Sequence, residues 1–262
     1  MSGSGAVGAS SQTLNLEGRV AVVTGGSGAI GAATAMALAA HGAAVAIVGR
    51  NREPLEAVAE RVSASGGTVL PVAADCTSQP EMEALSEQVT AHLGPADVLC
   101  TFAGGDGMPV PTNEETVAHW RQVTDSELTS TFVTVRTFLP AMLDRHAGTI
   151  LTMASSAARQ AAGSSAAYAA AKAGVIAFSR HLAGEYARQG IRVNCLAPSA
   201  IENERMRRWM SAEQRRALGE AFPLGRLGQP VDVAAAALFL VSGASSWITG
   251  LTLDISGGKV MV

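Results

Sequence analysis

Two side chains that could do chemistry lie four residues apart in a stretch made almost entirely of small residues. Tyr168 and Lys172 are the functional groups of SSAAYAAAK, whose other members are alanine and serine. On an α-helix, residues i and i+4 lie on one face, so this phenol and this ammonium would point the same way. A phenol titrates near pH 10 in water and exchanges protons poorly at neutral pH. Because a neighbouring cation favours phenolate, the pair predicts proton transfer to or from a substrate oxygen.

A glycine-rich turn indicates a second function, the binding of a phosphate. The sequence VVTGGSGAIGAA joins a β-like run to an alanine-rich helical run and places Gly25, Ala29 and Gly31 at the turn. Glycines let the backbone turn sharply and approach a pyrophosphate, whose charge the helix N-terminus stabilises. Ordinary turns also use glycine, so the prediction depends on the position of this turn after the first strand of an alternating fold.

The rest of the chain predicts the scaffold that positions these groups. From Arg19 onward, short β-branched runs alternate with longer helical patterns, including one long helix from about Val117 to Leu143. This alternation predicts an α/β protein with a single-domain Rossmann fold, a doubly wound parallel sheet of about seven strands with helices on both faces. We expect residues 1–15 to be a flexible N-terminal tail and residues 16–262 to be the dinucleotide-binding domain. A polar segment at 199–223 interrupts the alternation and is interpreted as a substrate lid.

Composition excludes several classes of protein. Of the 262 residues, 48% are hydrophobic and 16% charged, which is typical of a folded chain with a large core. A net charge of -3 argues against nucleic acid or an anionic membrane as a partner. Neither a secretory signal nor a membrane span is evident, so a cytoplasmic location is expected. We expect Cys76, Cys100 and Cys195 to be buried thiols, and the five histidines lack metal-ligand spacing, so no metal is expected.

The spacing of the glycine turn, taken with the Tyr–Lys pair, resembles the short-chain dehydrogenase/reductase family, whose glycine motif accepts alanine at the position of Ala29. The resemblance covers the chain from Leu16 onward and includes the closing block at 225–258. It implies an NAD(P)-dependent oxidoreductase that transfers hydride between a nicotinamide and a ketone or secondary alcohol. By appearance the chain is most similar to the 3-oxoacyl-carrier-protein reductase-like subgroup. Steroid, polyketide-derived and sugar-like ketones are equally compatible substrates.

The resemblance also assigns catalytic roles. It implies that Tyr168 is the general acid or base and that Lys172 tunes it and binds the nicotinamide ribose. Ser155, thirteen residues before Tyr168, would hold the substrate carbonyl, and its neighbour Ser156 is the competing candidate. Enoyl reductases of the same superfamily usually space the tyrosine and lysine more widely, so the close spacing here favours reduction of C=O over C=C.

The cofactor contacts implied by the resemblance follow the carboxyl ends of the strands. They are Gly25, Ser27, Ala29, Ile30, Gly31, Arg50, Asn51, Asp75, Cys76, Ala103, Gly104, Tyr168, Lys172, Pro198, Ser199, Ile201 and Asn203. In NAD-linked proteins an acidic residue ends the second strand, but here that place is Gly49, followed by Arg50. A guanidinium suits a 2′-phosphate, so the sequence favours NADP over NAD, the alternative being that Arg50 is only a solvated loop charge.

Three positions outside the Tyr–Lys helix depart from the family pattern. Phe102 replaces an asparagine after the fourth strand and is expected to pack against the core. Ser199 replaces a glycine, and Asn203 replaces a threonine that meets the carboxamide of the cofactor.

The fourth departure is Glu127, which occupies the place of an asparagine that in the family helps to hold a water linking the lysine to solvent. If it is ionised near Lys172, it would offset the ammonium and make the Tyr168 phenol harder to ionise. It would then slow the reaction, or shift the pH dependence of the activity to alkaline pH, or act in an altered proton relay in which the carboxylate itself carries protons. The alternative is that Glu127 faces elsewhere and Ser126 or Thr129 fills the gap.

Two further interpretations of the chain remain open. The replacement of two family asparagines by Phe102 and Glu127 is compatible with a catalytically weak dinucleotide-binding protein of the same fold. An NAD-linked alcohol dehydrogenase is the second alternative. Family members commonly form tetramers through their fourth and fifth helices, so a homotetramer is expected, although an internal helix would show the same apolar faces.

Overall fold

The computed structural model describes residues 14–105, 107–161 and 163–261. The strands in these ranges are β1 (Val20–Thr24), β2 (Ala44–Gly49), β3 (Val69–Ala73), β4 (Val98–Thr101), β5 (Gly148–Met153), β6 (Ile191–Pro198) and β7 (Thr252–Ile255). They form one parallel sheet in the order β3-β2-β1-β4-β5-β6-β7. The doubly wound sheet predicted from the alternating pattern is therefore confirmed.

Helices cover both faces of this sheet. They are α1 (Ala29–Ala40), α2 (Arg52–Ala64), α3 (Gln79–His92), α4 (Val117–Thr124), α5 (Ser130–Asp144), α6 (Ala166–Tyr186), α7 (Glu204–Trp209), α8 (Ala212–Glu220) and α9 (Pro230–Val241). One core layer contains α1, α2 and α9, and the other contains α3, α5 and α6. Successive side chains of a strand point to opposite faces, so Ala21 and Val23 of β1 belong to the first layer and Val20 and Val22 to the second.

The strand order reverses beside β1, and this reversal places the site. The chain runs outward from β1 through β2 to β3 and then returns to β4 on the other side of β1. In β1 and β4, Thr24 is aligned with Thr101, so the loops that follow these two strands leave the sheet side by side. In open α/β sheets, ligands bind in the crevice at such a switch point, beyond the carboxyl ends of the strands.

The long helix predicted from Val117 to Leu143 is helical throughout but is not one regular α-helix. A π-helical turn at Asp125–Thr129 separates α4 from α5. In a π turn, each N–H bonds one residue further back than in an α-helix, which widens the helix locally, and such turns are frequent at functional sites. Glu127, at the centre of this turn, is fully buried.

The polar segment at 199–223 contains two short helices, α7 and α8. Glu202 anchors this region, because its carboxylate lies 3.1 Å from Arg215 and 3.4 Å from Arg207 and accepts a 2.8 Å hydrogen bond from Gln229. At the other end of the chain, Leu16 is buried in the core and Leu14 packs against it. The predicted tail therefore lies, except for its last two residues, outside the described residues. Of the helices described, none has both the length and the apolar character that crossing a bilayer requires.

Candidate active site

The turn after β1 has the shape that its glycines predict. Gly25 has a φ of 66°, in the left-handed region, and a Cβ there would meet the carbonyl of Phe102. A Cβ on Gly31 would overlap the carbonyl oxygen of Gly25, so the helix can start this close to the turn only without a side chain. Helix α1 has Gly28 as its N-cap, and no described side chain forms a capping hydrogen bond with its first turn. These residues fit a pyrophosphate group.

Three more of the predicted cofactor contacts lie next to this turn. A Cβ on Gly49 would lie 3.4 Å from the Ser27 hydroxyl, which places Ser27 beside the end of β2. The Asp75 carboxylate accepts hydrogen bonds from the N–H (2.9 Å) and hydroxyl (2.8 Å) of Thr77. These bonds, helped by the positive charge of Arg50, lower the pKa of Asp75. Ser27, Arg50 and Asp75 are thus brought to one side of the crevice.

Thr24 joins the two loops that flank the switch point. Its side-chain oxygen accepts hydrogen bonds from the N–H groups of Phe102 (3.0 Å) and Ala103 (3.1 Å). It is fully buried at the end of β1. Phe102, at the family's asparagine position, packs against the core as expected. The strand ends that an asparagine amide would steady are here joined by a threonine hydroxyl of the neighbouring strand.

Helix α6 begins immediately before the catalytic candidates. Ser165 is its N-cap, and the side-chain oxygen of Ser165 accepts a 3.2 Å hydrogen bond from the Tyr168 N–H. The carboxylate of Glu115 accepts a second hydrogen bond from the first turn, 3.2 Å from the N–H of Ala167, and also contacts His119 at 3.0 Å. The first turn of α6 is therefore fixed by two caps, which fixes the direction of the Tyr168 side chain.

Lys172 lies one turn further along and is almost completely buried, at 3% exposed. Its ammonium donates a 2.9 Å hydrogen bond to the carbonyl of Met153 and lies 2.8 Å from Oε2 of Glu127. It is also 5.7 Å from the centre of the Tyr168 ring. Burial alone would lower the pKa of Lys172, but the negative charge of Glu127, followed by that of Tyr168 and the hydrogen bond to Glu127, raises it above the usual value.

Glu127 therefore faces Lys172, and the alternative in which it faces elsewhere is wrong. Its other oxygen, Oε1, accepts a hydrogen bond from the Gly105 N–H. Ser126 donates its main hydrogen bond to the carbonyl of Val123 instead, at 3.1 Å. Thr129 donates to the exposed carboxylate of Asp125 on the same turn. Neither hydroxyl takes the place next to the lysine.

The loop after β4 lies against both Glu127 and Tyr168. Gly104 has a φ of 125°, and a Cβ there would collide with the Glu127 carboxylate. A Cβ on Gly107 would lie 3.2 Å from the Tyr168 ring, so this loop also lies against the phenol. The glycines of the loop let its backbone approach the buried carboxylate and the ring at once.

Ser155 follows β5 by two residues, and its half-buried side chain accepts a 3.2 Å hydrogen bond from the Ala157 N–H. The 3-10 turn that follows, Ser156–Ala158, packs against α6, which carries Tyr168. The competing Ser156 is buried and donates to the hydroxyl of Ser199 at 3.2 Å. Of the two, Ser155 is the one whose hydroxyl is less enclosed.

The remaining predicted contacts lie around the same crevice. Cys76 is buried, and burial, followed by the charge of Asp75, raises the pKa of its thiol to about 11. Pro198 ends β6, and Ile201 is buried against the core. Asn203 is exposed at the N-cap of α7, where its carboxamide oxygen accepts a 2.8 Å hydrogen bond from the N–H of Met206. Its amide therefore caps the N-terminus of α7.

Sequence reasoning missed four groups that build the site: the hydroxyl of Thr24, the Met153 carbonyl, Glu115 and Gly105. Thr24 adjoins Gly25 and Gly105 adjoins Gly104, both of them predicted cofactor contacts. Glu115 and the Met153 carbonyl act through contacts between segments that are far apart along the chain, so no local pattern marks them.

Comparison with known proteins agrees with this geometry. A family model described as enoyl-(acyl carrier protein) reductase matches residues 25–259. The 3-oxoacyl-[acyl-carrier-protein] reductase FabG of Escherichia coli K12 is 37% identical over 252 residues, which cover 95% of this chain and 100% of that protein.

Two solved structures have the same fold over nearly the whole chain. One is 7α-hydroxysteroid dehydrogenase in complex with NADH and 7-oxo glycochenodeoxycholic acid, with a TM-score of 0.89, 33% identity and coverage of 97% of this chain and 98% of that one. The other is a putative NAD(P)-dependent gluconate 5-dehydrogenase from Beutenbergia cavernae with bound NADP, with a TM-score of 0.87, 34% identity and coverage of 94% and 98%. The chain belongs to the short-chain dehydrogenase/reductase family of NAD(P)-dependent oxidoreductases.

Proposed function

We propose that this protein is an NADP-dependent carbonyl reductase that also oxidises the corresponding secondary alcohol, and that it works in the cytoplasm as a homotetramer. The observation that carries the proposal is the Tyr168 phenol, held at the start of α6 with its ring centre 5.7 Å from the Lys172 ammonium. The glycine turn at the switch point supports the binding of a dinucleotide beside it.

The proposed roles follow from the placement of the groups. Bound nicotinamide would supply or accept the hydride. Tyr168 donates its phenol proton to the substrate oxygen during reduction and takes it back during oxidation, and Ser155 hydrogen-bonds the substrate oxygen. Lys172 has three N–H groups, of which Glu127 and Met153 take two, leaving one for Tyr168 or a ribose hydroxyl. We place Glu127 among the catalytic-site residues because it contacts Lys172.

The preference for NADP is proposed from Arg50. Arg50 is exposed beside the end of β2 and forms no ion pair with any described residue, whereas Arg52 pairs with Glu56 at 2.7 Å. A guanidinium in this position suits a 2′-phosphate. Arg50→Ala is expected to lower kcat/KM for NADPH at least tenfold, the loss of one charged hydrogen bond, and to leave that for NADH nearly unchanged. Arg52→Ala is the matched control, and equal losses in both variants, or a wild-type preference for NADH, would reject the assignment.

For the substrate, we propose a ketone of the 3-oxoacyl-thioester or polyketide type. The FabG relatives support it, whereas the hydroxysteroid and gluconate dehydrogenases show that this fold accepts other alcohols. A panel of 3-oxoacyl thioesters, steroid ketones, sugar-like ketones and enoyl thioesters, followed at the nicotinamide absorbance, tests this. Faster turnover of the enoyl thioester would overturn the C=O assignment.

The phenylalanine variant of Tyr168 tests the chemistry itself. Removing the phenol should lower kcat by at least about 10²-fold, the usual contribution of a positioned acid, while KM changes little. If Tyr168→Phe retains the wild-type kcat, proton transfer by Tyr168 is ruled out as the mechanism.

One observation favours the weakly catalytic alternative: the buried Glu127 carboxylate offsets the charge next to Tyr168. That alternative predicts dinucleotide binding, seen as a change in nicotinamide fluorescence, with no turnover across the panel.

A further inference from the structure

The Glu127–Lys172 ion pair is completely enclosed, and its position has a consequence for the phenol beside it. The two side chains are 0% and 4% exposed, and their charged atoms lie 2.8 Å apart. The carboxylate is therefore within about 9 Å of the Tyr168 ring centre, because Nζ of Lys172 is 5.7 Å from that centre. At such distances the negative charge offsets a large part of the field that the ammonium exerts on the phenol.

The ion pair also contacts the loop after β4, which lies against the phenol. Glu127 accepts a hydrogen bond from the Gly105 N–H, and Gly104 leaves room for its carboxylate. Two residues on, the backbone at Gly107 lies against the Tyr168 ring. The carboxylate thus contacts both the ammonium beside the phenol and the loop that lies against the phenol ring.

The buried carboxylate of Glu127 is carried by an irregular backbone, the π turn at Asp125–Thr129. Glu127 is at the centre of the π turn, and its carbonyl accepts a 3.3 Å hydrogen bond from the hydroxyl of Thr131 in α5. A buried charge without a partner is strongly destabilising, so the π turn and the lysine must be present together.

We propose that Glu127 is a positioning residue that holds the Lys172 ammonium, offsets its charge and thereby keeps Tyr168 a phenol to higher pH, in the form that donates a proton during carbonyl reduction. The inference rests on the proposed function for its catalytic meaning, but its electrostatic part concerns the protein alone. It predicts that reductive kcat/KM stays level into the alkaline range, whereas oxidative kcat/KM rises with pH over the same range.

Among the described residues, Glu127, Tyr168 and Cys195 of β6 are the titratable groups that act on Lys172, and burial raises the pKa of the Cys195 thiol above its usual value. Glu115 and His119 contact each other, and Glu115 accepts a hydrogen bond from the N–H of Ala167, the residue before Tyr168. Asp106 lies outside the described residues.

The chain offers a direct readout of the phenol, since it contains only two tyrosines, Tyr168 and Tyr186. In a Tyr186→Phe background, the tyrosinate absorbance of the cofactor-free protein reports Tyr168 alone. Adding Glu127→Gln removes the carboxylate charge with little change of shape, so the buried site releases a proton at lower pH, and the absorbance shows whether Tyr168 or the neighbouring Lys172 releases it. A full charge at this distance, acting through an effective dielectric constant of about 20, shifts a titration by about one pH unit or more.

We therefore expect tyrosinate to appear at least about one pH unit lower in Glu127→Gln, and the breaks in both kcat/KM profiles to move down with it. Asp125→Asn is the control, because it removes an exposed charge from the same π turn and should shift the absorbance by less than about 0.3 units. If Glu127→Gln does not fold, Glu127→Asn carries the same test. An unchanged or higher onset of absorbance overturns the inference. A shifted onset without turnover of any substrate supports the inference and rejects the proposed function.

Discussion

The hydroxyl of Thr24 should contribute measurably to the free energy of unfolding, and Thr24→Val isolates that contribution. Valine has nearly the same shape but cannot accept the hydrogen bonds from Phe102 and Ala103. Each lost bond to a partly buried N–H costs about 1 kcal/mol, so the variant should lose about 2 kcal/mol. For a chain of this size that corresponds to a fall of about 4–8 °C in Tm.

The neighbouring strand provides a matched control. Thr101 is aligned with Thr24 across the sheet and is also buried, but its hydroxyl has no hydrogen-bond partner among the described residues. Thr101→Val should therefore be neutral or slightly stabilising, because it removes a buried polar group that makes no bond. Thermal and urea unfolding, followed by circular dichroism without cofactor, compares the two variants with Thr24→Ser, which keeps the hydroxyl. Equal Tm values for the two valine variants would refute the role assigned to Thr24.

Three further predictions follow from other parts of the structure. Gly31→Ala should abolish dinucleotide binding, measured by fluorescence titration, because its methyl group would overlap the Gly25 carbonyl. Gly184 lies on the open surface of α6, so Gly184→Ala should instead raise the free energy of unfolding by about 0.5–1 kcal/mol. The three buried thiols should react with a thiol reagent at pH 8 only after denaturation, and reaction of all three in the native protein would contradict their burial. Burial raises the thiol pKa to about 11 in Cys76 and about 12 in Cys100, so the folded chain keeps protons that the unfolded chain loses above about pH 9. Stability should therefore fall as pH rises from 9, by about 1.4 kcal/mol per pH unit for each thiol until its folded pKa is reached, and Cys100→Ala should flatten that fall in urea titrations.

The elements that follow from local periodicity were predictable, and those that depend on contacts between distant segments were not. Alternating apolar runs are sufficient to predict the parallel sheet, and the spacing of Tyr168 and Lys172 is sufficient to predict that both lie on one face of α6. The π turn at Asp125–Thr129 has no sequence signature, because it forms to bring Glu127 to a lysine 45 residues further along the chain. The family resemblance is sufficient to single out Glu127 as a neighbour of the lysine, but only the fold shows that its second oxygen binds the Gly105 N–H.

Three of the four departures from the family pattern are matched by a specific contact, and this supports an enzyme over a degenerate relative. Phe102 fills the core, while Thr24 joins the strand ends in place of the missing amide. Ser199 accepts a hydrogen bond from Ser156. Glu127 is matched by a π turn, by a glycine where a Cβ would strike it and by an ammonium at 2.8 Å. A buried carboxylate without such partners would lower the free energy of unfolding by several kcal/mol. The three matching features around Glu127 therefore indicate a functional site.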